Sequence, residues 1–126
     1  MIIKALSLIQ PWASLIMDGR KTVETRSWNC NHTGPLAIHA SLTKGGPYRD
    51  VCNKFGYNYA TVLRGVVLGT VTMVMCAQFP NVLMPPDEYG DFTPGRWGWL
   101  LRDPVKFAQP VPMLGNRSLW NFEVPD

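Results

Sequence analysis

Residues 6–28 read LSLIQPWASLIMDGRKTVETRSW, and a change of hydrophobic period inside that stretch decides the fold. Residues 4–9, KALSLI, alternate as a strand does. Pro11 then suits the first turn of a helix, because its fixed φ matches and its missing N–H would find no partner there anyway. In PWASLIMDG, Trp12, Leu15 and Ile16 fall at i, i+3 and i+4 and make one apolar stripe. Gly19 supplies the left-handed residue that ends such a helix, so the spacing predicts a short helix over 11–18. After Gly19 the period becomes two. Thr22, Glu24, Arg26 and Trp28 then share one face of a strand, and Val23, Thr25 and Ser27 the other.

Further along, NCNHTGP has the composition of a turn and LAIHAS (36–41) that of a second strand, with Leu36, Ile38 and Ala40 on one side and Ala37, His39 and Ser41 on the other. One of those faces is expected to be core. YRDVCNKFG (48–56) keeps helical spacing through Tyr48, Val51, Cys52 and Phe55 until Gly56 stops it. Residues 65–79 form the longest β-rich run, and Gly69 inside it predicts a bend or bulge of the kind that turns a corner in a small barrel. PNVLMPPDEYGDFTPG (80–95) is a Pro- and Gly-rich loop. RWGWLL resumes the strand pattern, and residues 102–124 give one or two terminal strands punctuated by Pro104, Pro110, Pro112 and Gly115. Five to seven strands with two or more short helices predict an α+β fold, a small barrel with helices packed beside it.

The 126 residues suit one domain, 1–126, and 46% hydrophobic against 17% charged residues provide a core and exclude a disordered chain. A net charge of +3, spread over dispersed basic residues, permits contact with a phosphate backbone but falls short of the dense stripe of a duplex DNA binder. Cys30, Cys52 and Cys76 are odd in number and lack a C-x-x-C pair, which argues against a disulfide scaffold and for a reducing, cytoplasmic setting. Gln10-Pro11 interrupts the apolar N-terminal run before it reaches the length of a signal peptide or a membrane span. His32, His39 and the scattered cysteines offer no convergent ligand set, so neither metal nor cofactor is expected. There is no nucleophile elbow, and TKGGP lacks the flanking pattern of a phosphate loop.

The remaining chemistry sits in 19–28. Lys21 follows a helix-ending glycine, where a side chain is readily aimed into a cleft, and Glu24 and Arg26 follow at spacings that gather three ionisable groups. A lysine in a dry pocket loses proton affinity and can act as a base, while a carboxylate beside an arginine stays ionised. The alternative is a solvated strand edge whose Glu24–Arg26 pair contributes under about 1 kcal/mol. A third use of the chain is protein contact through NVLMPPDEYGDF.

The order of LSLIQPWASLIMDGRKTVETRSW, GPLAIHAS, GVVLGTV and RWGWLL resembles the ASCH (activating signal cointegrator homology) domains, a branch of the PUA-like barrels, across nearly the whole chain. The family's G-x-K-x-x-E-x-R is matched by Gly19, Lys21, Glu24 and Arg26. The resemblance implies a PUA-like barrel with a cleft for RNA or a pyrimidine nucleoside, and either RNA binding or cleavage, or hydrolysis of the amide of N4-acetylcytidine. Hydrolysis of an N4-acylated cytidine is the leading expectation, and under it Lys21 and Glu24 are catalytic. Glu24 stands where the amidohydrolase has threonine; Thr22 and Thr25 lie near it as other candidate nucleophiles, Thr25 on the opposite face by alternation. Arg26, Trp28, His39, Ser41, Tyr59 and Trp97 are the expected substrate-binding residues, the aromatic ones by stacking and the others by hydrogen bonds. A non-catalytic RNA-binding module or a ribonuclease would use the same cleft.

Overall fold

The computed structural model describes Met1–Pro125. Its elements in chain order are β1 (Ile2–Leu8), α1 (Trp12–Met17), β2 (Val23–Arg26), β3 (Gly34–Ala40), α2 (Gly46–Phe55), β4 (Val66–Gln78), β5 (Trp97–Pro112) and β6 (Leu119–Glu123). The six strands form a mixed sheet in the order β2-β5-β4-β3-β1-β6. β1 and β3 run parallel, joined through α1 and β2, and the other neighbours are antiparallel. The architecture is α+β, as expected.

Sequence periods place the elements well. α1 buries Ala13, Leu15, Ile16 and Met17, and its first turn is satisfied by the buried Gln10, whose Oε1 accepts the Ser14 N–H at 3.0 Å. Gln10 Nε2 in turn donates to Ser14 Oγ and to the Leu63 carbonyl, both at 2.8 Å, and so ties α1 to the approach to β4. Gly56 ends α2 in the left-handed conformation, as its sequence position predicts.

The expectation of one core face on β3 is corrected: both faces are buried. Leu36, Ile38 and Ala40 pack with Leu6, Leu8, α1, Met73 and Trp99. On the opposite face Ala37 packs with Ile3, Ala5, Val67, Trp120 and Phe122. A central strand in a strongly coiled sheet has α1 on one side and the curling β5–β6 region on the other, so neither face meets water.

Two further expectations are corrected. Residues 97–112 form one long strand instead of breaking at RDP. Irregularities absorb the prolines: Asp103 takes φ 54° just before Pro104, beside a register shift between Thr70 and Thr72 of β4. Gly69 marks the tightest crossing, because a Cβ there would stand 2.2 Å from the Val105 carbonyl oxygen and 2.7 Å from Met17 Cε.

The sheet is also not a closed barrel, since β2 and β6 are its two ends. β6 accompanies β1 only as far as Leu6↔Leu119. Just beyond, the Ser7 carbonyl accepts a hydrogen bond from Arg26 Nη2 at 3.3 Å, so edge strand β2 returns to the bare end of β1. A side chain makes the contact that a ladder would make in a closed barrel.

Candidate functional site

Lys21 is turned inward by the end of α1. Gly19 adopts φ 76°, and the backbone N–H groups of Arg20 and Lys21 both return to the Leu15 carbonyl at 3.0 Å. The Lys21 side chain is then 1% exposed. Its Nζ donates to the Val23 carbonyl at 2.9 Å and the Tyr89 carbonyl at 2.6 Å, and lies 3.4 Å from Glu24 Oε1. The Trp12 ring completes the enclosure, 5.7 Å from Nζ. Burial pushes the Lys21 ammonium below the ordinary lysine value, and the Glu24 carboxylate opposes that shift.

Glu24 is engaged through both oxygens. Oε1 accepts the Thr25 N–H at 3.0 Å and faces Lys21, and Oε2 accepts Arg26 Nε at 3.0 Å with Nη2 at ion-pair distance, also 3.0 Å. The carboxylate thus accepts two hydrogen bonds and lies within ion-pair distance of both cations. Arg26 is different. Its side chain is 27% exposed, and Nη1 has no protein partner among the described residues. The predicted sharing of one strand face by Glu24 and Arg26 is what allows this bond.

Ser7 links Arg26 to a second group of polar residues. Its Oγ lies 3.0 Å from His39 Nδ1 and accepts Trp120 Nε1–H at 3.1 Å. His39 Nε2 is 2.8 Å from the Met113 carbonyl, an acceptor that places the ring proton on Nε2 and leaves Nδ1 free to accept the Ser7 hydroxyl. Ser7, His39 and Ser41 line a cavity of about 390 Å³ with Gly115, Asn116 and Arg117 of the loop before β6. Gly115 is required there, because a Cβ would stand 2.4 Å from Ser7 Oγ.

Arg26 is therefore linked to the cavity of His39 and Ser41 only through the Ser7 backbone, while Lys21 borders a separate cavity of about 210 Å³ with Thr22 and Asp103, and Glu24 is buried between Lys21 and Arg26. Trp97 is the cross-strand partner of Arg26 and is half-buried. Trp28, also half-buried, packs edge-on against Trp99 at 4.9 Å. Tyr59 lies elsewhere: its hydroxyl accepts the Gly45 N–H at 2.9 Å and its ring lies between Arg49 and Arg64. Thr25 Oγ1 accepts the Asp91 N–H at 3.1 Å, on the loop side of β2 and away from Glu24, as alternation predicts. Ser7, Tyr89 and Arg117 escaped the sequence reading. Tyr89 acts through its carbonyl, which leaves no side-chain signature, whereas the lone hydroxyl in the apolar run KALSLI is a signal for Ser7. Among the described residues no group of three or more His, Cys, Asp and Glu is placed to hold a metal, and no helix is long and apolar enough to cross a membrane.

Comparison with known proteins agrees with this picture. The family model of the ASCH domain matches residues 6–88. Activating signal cointegrator 1 of Homo sapiens is 31% identical over 137 residues, an alignment that covers 94% of this chain and 22% of the relative. The Mus musculus protein of the same name is 30% identical over the same shares. The chain thus spans about 22% of the length of these relatives. Among solved structures, ASCH from Zymomonas mobilis superposes with a TM-score of 0.61 at 18% identity, covering 95% of this chain and 87% of that one. A single-substitution variant of that protein gives the same TM-score of 0.61, with 95% and 89% covered. With two-thirds of its length within the family model, the chain belongs to the ASCH domain family.

Proposed function

We propose that this ASCH domain is a binding module whose cleft takes a pyrimidine nucleoside or a short stretch of single-stranded RNA. The observation that carries this reading is the commitment of Lys21 and Glu24. Glu24 accepts the Thr25 N–H and Arg26 Nε and pairs with Lys21, which itself donates to two backbone carbonyls, so both side chains are tied into the fold and neither is presented as a free base. Lys21 pairs with Glu24 and Glu24 holds Arg26, whose side chain is 27% exposed. Arg26 would meet a phosphate or a base edge, with Ser41, Asn116 and Arg117 adding polar contacts. The half-buried rings of Trp28 and Trp97 would stack a base, an interaction of about 1–3 kcal/mol in single-strand binders. His39 serves by holding Ser7 and the 113–117 loop in place. The net charge of +3 suits a short ligand better than a long strand. Three free cysteines fit a reducing compartment, the cytoplasm.

Amide hydrolysis of N4-acetylcytidine, or RNA cleavage, is the second reading, favoured by the lowered proton affinity of Lys21. It requires the Tyr89 carbonyl to withdraw from Nζ and Glu24 to release Arg26. The two readings separate when the protein and its Lys21→Ala and Arg26→Ala variants are incubated with N4-acetylcytidine and with labelled RNA, following both binding and products. The binding reading expects RNA retention by wild type, loss in Arg26→Ala and no product. Cytidine release or strand cleavage by wild type that stops in Lys21→Ala would establish the hydrolase instead.

A further inference from the structure

The loop between β4 and β5 is not used by the cleft and has a character of its own. Residues 79–95, FPNVLMPPDEYGDFTPG, carry three acidic residues, Asp87, Glu88 and Asp91, and no lysine or arginine. The segment is therefore negative on a chain whose total charge is +3. Phe79, Pro80, Val82, Met84, Pro86 and Phe92 line a cavity of about 360 Å³ within it. Its floor is a tilted pair of rings, Phe79 and Phe92, with centroids 4.8 Å apart. At its rim Val82 is 94% exposed, and the neighbouring Leu83 is 63% exposed. Glu88 has no ion-pair partner among the described residues, Asp87 only caps the Tyr89 N–H at 2.7 Å, and Asp91 pairs with Arg96 at 3.5 Å.

The groove is held in shape. Val23, Phe79 and Met84 form a buried cluster beneath it. Lys21 grips the Tyr89 carbonyl, Thr25 holds the Asp91 N–H, and the Phe79 N–H donates to the Arg96 carbonyl at 2.9 Å. Such a preformed cavity takes an apolar side chain without an ordering cost.

We propose that this groove docks a basic peptide segment of a partner protein, which lays a bulky apolar side chain into the cavity against the Phe79–Phe92 pair while its flanking lysines or arginines meet Asp87 and Glu88. Charge complementarity selects this occupant. A local excess of carboxylates attracts a cationic peptide and repels a phosphate backbone, so the groove and the nucleic-acid cleft take different ligands. Apolar anchors within a charged rim are the usual anatomy of such contacts.

The test uses the full chain and a fluorescent peptide with a leucine-phenylalanine pair flanked by lysines and arginines, beside a twin flanked by glutamates. Anisotropy is expected to show the basic peptide binding at least about tenfold more tightly than its twin, with the gap closing as salt rises. A D87N/E88Q double substitution, which keeps the cap on Tyr89, is expected to weaken binding about tenfold, and Val82→Glu to weaken it further. Both sites are exposed, and unchanged melting would show that the fold is intact. Equal binding of the two peptides, binding of neither, or no effect of the substitutions would overturn the proposal. So would displacement of the peptide by single-stranded RNA. Self-association abolished by Val82→Glu would assign the groove to a second copy of the chain and overturn it equally.

Discussion

Glu24 sits between two cations, and its removal should expose what the cluster does for the fold. Glu24→Gln leaves the Lys21 ammonium, on a side chain 1% exposed, without its anion. Breaking a buried pair from one side costs about 3–5 kcal/mol, so the urea midpoint is expected to fall by that equivalent with an unchanged slope. A loss below about 1 kcal/mol would mean that the pair behaves as a surface bridge. Lys21 gives a second, pH-dependent prediction. Its folded value is lowered below 10.5, mainly by burial, so between the lowered value and 10.5 the unfolded chain holds more protons than the folded one. Stability owed to Lys21 therefore rises with pH through that window. Urea unfolding of wild type minus Lys21→Met, followed from neutral pH towards about pH 10, should show wild type gaining; a flat or falling difference would contradict it. The sequence made Glu24 and Arg26 legible as a pair because alternation sets them on one face. It could not show that Lys21 ends on the Tyr89 carbonyl, since a contact across 68 positions to a backbone oxygen has no residue type to read.

At the scale of elements, local signals read well where local physics decides. α1, α2 and β4 fall within one or two residues of their expected spans because Pro11, Gly19, Gly56 and a β-branched run set their limits. The join across RDP was missed because tertiary pairing with β4 outweighs the turn character of Asp103-Pro104. Gly69 was legible as a bend, but the reason is closer contact than a bend alone requires. Gly69→Ala would drive a Cβ into the Val105 carbonyl 2.2 Å away. Neither backbone can yield cheaply, so the expected loss is about 2 kcal/mol or more, read as a lower melting temperature. A melting temperature equal to wild type would show that β5 does not cross β4 this tightly.

The whole molecule is a coiled, open sheet whose end strand β2 reaches the end of β1 through Arg26 and the Ser7 carbonyl, and the Ser7 side chain there lines the cavity with His39. A barrel was the reasonable expectation from strand count and turn spacing, because neither quantity says whether the last ladder forms. The ASCH resemblance was legible because its motif lies in one continuous stretch, whereas the cleft residues Ser7, His39, Ser41 and Arg117 come from three separate parts of the chain. If Arg26 and Arg117 are the cations that meet phosphate, the logarithm of RNA affinity should fall with the logarithm of salt with a slope of about −1 to −2, at roughly −0.7 per contact. Arg26→Ala should make the slope shallower by about 0.7, and an unchanged slope would remove Arg26 from the interface. The most direct measurement of the central claim is an NMR titration of the labelled protein with short single-stranded RNA and with N4-acetylcytidine. The account predicts shifts centred on Ser7, Arg26, His39, Ser41 and Arg117, with the loop 80–95 and the Tyr59 region quiet and no acetate signal appearing. Shifts confined to either of those other surfaces, or acetate released by wild type, would contradict it.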